Sequence, residues 1–252
     1  MMNTFGMTRS KLARHYALIA PDSHEAVTLP DWNGASLVHL VTPDIGAGFS
    51  MFFVHAVNTL STTQHSEQYE RFILVRQGQL KLSDDSGHKT LVKDDYVFLP
   101  AGHIHQLSAN GPVKLLMLER PYSKRDGALG PTAHYSKLAS VPTKPLKGDT
   151  RLQVQKLLPE GPEWDMEINT MCFQPGAGLP YVETHFMEHG LLMLDGGGIY
   201  RLGDDWYPVA VGDAIWMGPF CPQWFGAIGT EDARYLIYKN WNRDPLRSCQ
   251  RS

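Results

Sequence analysis

The chain has 252 residues, 42% hydrophobic and 10% aromatic, with a net charge of −3. That is enough for one large or two modest cores, and it excludes a disordered chain. The charge balance leaves no basic footprint for nucleic acid. Three cysteines (Cys172, Cys221, Cys249) without a CxxC pair argue against a disulfide framework or a zinc ribbon. The first residues lack a signal-peptide core, and no apolar run nears the roughly 18 residues of a membrane span. The expectation is a reduced, cytoplasmic chain with no membrane or nucleic-acid partner.

In chain order, short apolar or alternating runs lie between breaks made by 23 Gly and 17 Pro. Residues 36–41, 49–57, 71–77, 79–83, 96–100 and 114–119 form a first set. Residues 123–150, rich in Pro, Gly, Ser and Lys, break the rhythm and read as a linker. A second set follows at 171–174, 190–195, 199–202, 214–218 and 234–239. Strands this short and this evenly spaced predict an all-β sandwich or barrel.

The two sets are copies of one module. A shift of 118 positions places Gly196 on Gly78, each closing an apolar run. It also places Gly212-Asp213 on Asp94-Asp95, each opening a strand. Glu183, His185, His189 and Gln223 then fall on His65, Glu67, Arg71 and His105. The predicted domains are residues 1–122 with a degenerate site, the linker 123–150, and residues 151–252 with an intact one.

Within 181–190, YVETHFMEHG, four potential metal ligands crowd behind Pro175, Gly176, Gly178 and Pro180. On a strand, Glu183 and His185 share a face, and His189 joins them after a bend. Gln223 arrives from the neighbouring strand pair. One carboxylate, two imidazoles and an amide suit Mn²⁺ or Fe²⁺, or less selectively Zn²⁺, with open positions for an anionic ligand. The same text matches HxxEH, a helical zinc-peptidase pattern. That reading needs a helix through 185–189, which Pro180 and Gly190 leave little room for, and it does not account for the repeat. Glu188 has the wrong parity and is expected to support the ligands or face solvent. His103 is expected in an exposed turn. Trp206, Tyr207, Trp216, Trp224 and Phe225 are expected as core and pocket wall.

The spacing ExHxxxH, six residues, Gly, then a Gly-Asp-opened strand and a polar residue, resembles the two-part motif of the cupin family. The family has two His before its Glu and a final His. Here Glu and one His have traded places, and Gln223 replaces the last His. With the flanking text GGIYRLGDDWYPV and YLIYKNWNRDPL, this order is similar to the bicupin family of (S)-ureidoglycine aminohydrolases. The resemblance implies two tandem cupin barrels (double-stranded β-helix, or jelly-roll) and a metal at Glu183, His185, His189 and Gln223. It implies hydrolysis of (S)-ureidoglycine to (S)-ureidoglycolate and ammonia in purine-ureide (allantoin) catabolism, and a homo-oligomer. It gives Tyr200 and Tyr235 to the ureido oxygen, and Lys239 to the substrate carboxylate or to proton transfer. Glu183 is read as a ligand, with a role as proton carrier as its alternative. In the first copy Arg71 cannot ligate, so that barrel is expected to hold no metal, with Arg71 paired to Glu67 or Glu70. The other readings of the same scaffold are a metal-dependent oxygenase, decarboxylase or isomerase, and a non-enzymatic binding bicupin.

Overall fold

The computed structural model describes residues 6–62, 68–127 and 129–248. His65, Glu67 and Cys249 lie outside the described residues. In chain order the strands are β1 (Lys11–Leu12), β2 (Tyr16–Ile19), β3 (Trp32–Val41), β4 (Ser50–Thr62), β5 (Tyr69–Gln77), β6 (Gln79–Asp84), β7 (Gly87–Val92), β8 (Asp95–Leu99), β9 (His105–Asn110) and β10 (Val113–Pro121). They continue with β11 (His134–Lys137), β12 (Lys144–Leu146), β13 (Asp149–Lys156), β14 (Met166–Phe173), β15 (His189–Asp195), β16 (Gly197–Leu202), β17 (Asp205–Ala210), β18 (Ala214–Met217), β19 (Gln223–Ala227) and β20 (Ala233–Asn240). The one α-helix among the described residues is a single turn, Pro245–Ser248. No helix among them is long and apolar enough to cross a membrane.

The strands divide into two compact units. One unit comprises residues 25–141 and 158–165 and is built on a curled sheet, β11-β8-β5-β10-β4-β9-β6-β7, with β3 also on β4. Strand β4 is long enough to serve both sides. On one side it pairs with β3 at both its ends, and on the other its first part pairs with β10 and its Thr59–Ser61 end with β9. Leu, Ile, Val and Phe from these strands fill the interior.

The other unit comprises residues 1–24, 142–157 and 166–252. It faces an eight-stranded sheet, β1-β2-β18-β15-β20-β14-β13-β12, with a three-stranded one, β17-β16-β19. Between them Leu191, Met193, Ile215, Tyr200, Phe225 and Tyr235 are part of the buried core. The units are interleaved along the chain, where three consecutive segments were expected. Strand β2 adds to the edge of β18, and β12 and the first residues of β13 come from the supposed linker. The reason is edge pairing. A β-sheet edge offers unsatisfied N–H and C=O groups, and whichever segment satisfies them joins that unit.

The glycines that revealed the repeat have the same job in both units. Gly78 (φ +77°) and Gly196 (φ +62°) each turn the chain between two strands. A Cβ on Gly78 would lie 1.9 Å from the Pro112 carbonyl oxygen, and one on Gly196 would lie 2.5 Å from that of Asp232.

Candidate metal centre

The site is built at one end of the β15-containing sheet. Register partners run in a row: Glu167 on β14, Lys239 on β20, His189 on β15, Met217 on β18 and Tyr16 on β2. Directly opposed residues project from the same face. One level further along lie Asn169, Ile237, Leu191, Ile215 and Leu18, and beyond them Met171, Tyr235 and Met193. The alternation of β20 thus turns Tyr235, Ile237 and Lys239 inward together.

The HxxEH segment is not helical, and it is not a regular strand. Residues 174–188 run as an extended loop beside β19. Two prolines lack the N–H that a ladder needs, so the pairing is intermittent. Leu179 N–H donates to the Phe225 carbonyl, and Glu183 and Gln223 exchange both backbone hydrogen bonds, at 2.8 and 3.0 Å. Further on, the Phe220 N–H donates to the His185 carbonyl. This lacing places Glu183 directly opposite Gln223, the first residue of β19.

His189 Nε2 lies 3.1 Å from His185 Nε2, and the Gln223 side-chain nitrogen lies 3.4 Å from that same His185 atom. His189 Nδ1–H donates to the Tyr238 carbonyl at 3.2 Å, which leaves the Nε2 lone pair facing His185. Burial pushes His189 down to about 3, with the charges of His185 and Lys239 adding to the effect. Burial also lowers His185, opposed by the negative charge of Glu183. Both rings are therefore neutral at pH 7.

Tyr200 and Tyr235 are fully buried, and their hydroxyls donate to the sulfurs of Met217 (3.4 Å) and Met171 (3.3 Å). Burial raises both phenols. Glu183 adds to both, and Tyr200 to Tyr235, so each stays a neutral donor. Lys239 donates to Glu167 at 2.7 Å, and its ammonium lies 4.5 Å from the centre of the Trp241 ring. Glu167 is itself buried and accepts a hydrogen bond from Asn169. The sequence reading missed Glu167 and Asn169. Their signal is two polar side chains, Glu167 and Asn169, at alternate positions of the strand Met166–Phe173.

Among the described residues, no three His, Cys, Asp or Glu side chains are gathered into a metal-binding group. The set here has two imidazoles and an amide, while the Glu183 carboxylate lies 3.8 Å from Lys147. The donor chemistry nevertheless fits a divalent cation. Two nitrogens each about 2.1 Å from one ion, at a right angle, lie about 3 Å apart, close to the His185–His189 separation. Rotation of the Gln223 amide exchanges its nitrogen for its oxygen at the same place. The charge of Glu183 is felt at His185, Tyr200 and Tyr235, which puts the carboxylate on the same side.

Other expected placements change. Glu188 is buried and accepts from the Trp216 indole at 3.4 Å. Trp216 and Phe225 are core, but Trp206 is 54% exposed on the outer face of the three-stranded sheet. His103 is half-buried and bonded to Asp84 at 3.1 Å, not free in a turn. In the other unit the expected Glu67 partner of Arg71 lies outside the described residues, and Arg71 does not pair with Glu70. It donates to Glu119 at 2.6 Å and to His105 Nε2 at 2.7 Å. Glu70 lies on the opposite face of β5 from Arg71 and instead meets Arg120, at 3.9 Å. A buried guanidinium thus fills the place in this copy that His189 has in the other.

Residues 51–119 match the family model for the cupin domain. The chain is 42% identical over 242 residues to a probable (S)-ureidoglycine aminohydrolase of Oryza sativa subsp. japonica, covering 96% of this chain and 78% of that one. It is 41% identical over 245 residues to the (S)-ureidoglycine aminohydrolase of Arabidopsis thaliana, covering 96% and 80%. The chain belongs to the (S)-ureidoglycine aminohydrolase family. A solved structure, a putative glyoxylate-induced protein from Pseudomonas aeruginosa, matches with a TM-score of 0.86 at 26% identity, covering 94% of this chain and 92% of that one. The two-barrel cupin fold and the family agree.

Proposed function

We infer that this chain is a hydrolase that converts (S)-ureidoglycine to (S)-ureidoglycolate and ammonia in ureide breakdown. The family relationship supports the reaction. One observation carries the reading of the site: two neutral histidines, Gln223 and the register-fixed Glu183 converge beside Lys239 and two buried tyrosines. We propose that Glu183, His185, His189 and Gln223 hold Mn²⁺, with Fe²⁺ or Zn²⁺ less suited. When bound, the ion supplies a Lewis acid that anchors and polarises the substrate.

The chain's own residues do the rest. Glu183 contributes the one ligand charge. Lys239, held by Glu167, presents an ammonium next to His189, where it can hold the substrate carboxylate or exchange a proton with the departing amine. General acid–base assistance of that kind is typically worth about 10²–10⁴-fold. Tyr200 and Tyr235 offer uncharged O–H donors to the ureido oxygen. Leu191, Ile215 and Ile237 give the level next to His189 and Lys239 a buried apolar lining. The resemblance further supports a homo-oligomer with a small-molecule substrate, and the cysteine usage is the ground for placing it in the cytoplasm.

The test is ammonia release by purified protein with Mn²⁺ when allantoate is fed through an allantoate-hydrolysing enzyme, which supplies the short-lived substrate. Ammonia above the coupling enzyme's own yield is expected. No excess at any Mn²⁺, Fe²⁺ or Zn²⁺ concentration would overturn the reading.

A further inference from the structure

The mouth of the site carries a second cation that neither the sequence nor the mechanism above uses. Lys147 is at the tip of the β12–β13 hairpin, where Leu146 pairs with Asp149 across a two-residue turn. Its φ is +50° and that of Gly148 is +86°. Turns of this kind favour Asn, Asp or Gly at the first position, because other side chains are strained there. The lysine stem stands over the Tyr181 ring, with its nitrogen 3.9 Å from the ring centre, and the ammonium donates to the Tyr181 hydroxyl. Its charged partner is Glu183, at 3.8 Å.

The charges at the mouth pair off. Lys239 has Glu167, and Lys147 has Glu183. A divalent ion taken up by Glu183 claims the carboxylate that Lys147 holds, and Lys147 is left at the rim with no counter-charge. We propose that Lys147 then binds the carboxylate of the incoming ureido acid. Lys147 and the ion compete for Glu183, so carboxylate capture becomes available only in the loaded site. This rests on the functional reading above and names a substrate-binding residue for it.

The experiment compares wild type, Lys147→Met and Lys147→Arg in two calorimetric titrations. Mn²⁺ is added to metal-free protein, and N-carbamoylglycine, a stable ureido acid without the amine, is added to Mn²⁺-loaded protein. Loss of the competing cation should tighten Mn²⁺ about threefold in Lys147→Met, in keeping with the small worth of half-exposed ion pairs. Loss of a charge-assisted contact should weaken N-carbamoylglycine about tenfold, and Lys147→Arg should keep both near wild type. In turnover, KM should rise about tenfold in Lys147→Met while kcat at saturation holds. Unchanged N-carbamoylglycine affinity in Lys147→Met, or no binding by wild type, overturns the proposal. Titrations that change as stated in a wild type that releases no ammonia would sink the activity reading and leave the carboxylate site standing.

Discussion

His189 shows how much one side chain decides. It is buried, uncharged and fixed in its tautomer by the Tyr238 carbonyl. His189→Ala and His185→Ala should each remove bound metal and activity yet keep a folded barrel, because the core needs neither ring. Elemental analysis beside circular dichroism checks this. Glu183→Gln removes the one charge of the proposed ligand set and should weaken Mn²⁺ strongly; equal affinity would instead make Glu183 a proton carrier. Lys239→Met should retain full metal and lose most of kcat, with Glu167→Gln losing less because it removes only the partner that aims Lys239. Metal content and ammonia release measured on the same samples separate these roles. At this scale the sequence was legible where chemistry sits at fixed spacing, as in Glu183, His185 and His189. It was silent on Glu167 and Lys147. Their partners are strand neighbours or loop neighbours, and no local spacing encodes that Glu167 will lie opposite Lys239.

At the scale of elements, the repeat was readable because both copies need the same backbone at the same turn. Gly196→Ala and Gly78→Ala must each adopt a left-handed conformation and push a Cβ toward a backbone carbonyl. Each should cost about 2–4 kcal/mol, the sum of a conformational penalty and a packing one, measured as a shift in urea midpoint at constant m. Less legible was the loop carrying the ligands. Period-two alternation made 183–185 look like strand, but Pro175 and Pro180 interrupt its ladder, and β19 holds it by a few separate bonds. The linker was also misjudged from composition. Pro and Gly at 142–148 suggest a spacer, while the sheet edge recruits 144–156 as two strands.

For the whole molecule, acid is the revealing stress. The depressed value of His189 means that the unfolded chain takes up a proton below about 6.5, and the folded chain does not until about 3. Metal-free protein should therefore lose stability as pH falls through that window, by up to about 1.4 kcal/mol per pH unit for one such group. Urea unfolding between pH 7 and 4.5 checks this, and His189→Gln should flatten the slope. Arg9→Ala tests the interleaved architecture. Its guanidinium makes two bonds, of 2.8 and 2.6 Å, to Asp213, which is fully buried. Its loss should cost roughly 1–3 kcal/mol and make residues 6–24 more sensitive to protease.

Arg9 and Asp213 stand 204 residues apart. A ribosome adding about 5–20 residues per second makes the first of them roughly 10–40 s before the second. For that interval β2 can pair with β1 but has no β18 edge to join. Strand β2 is therefore made well before β18, the edge it joins in the finished barrel. The exposed charges just ahead of it, Lys11 on β1 and Arg14 in the turn between β1 and β2, are suited to that wait.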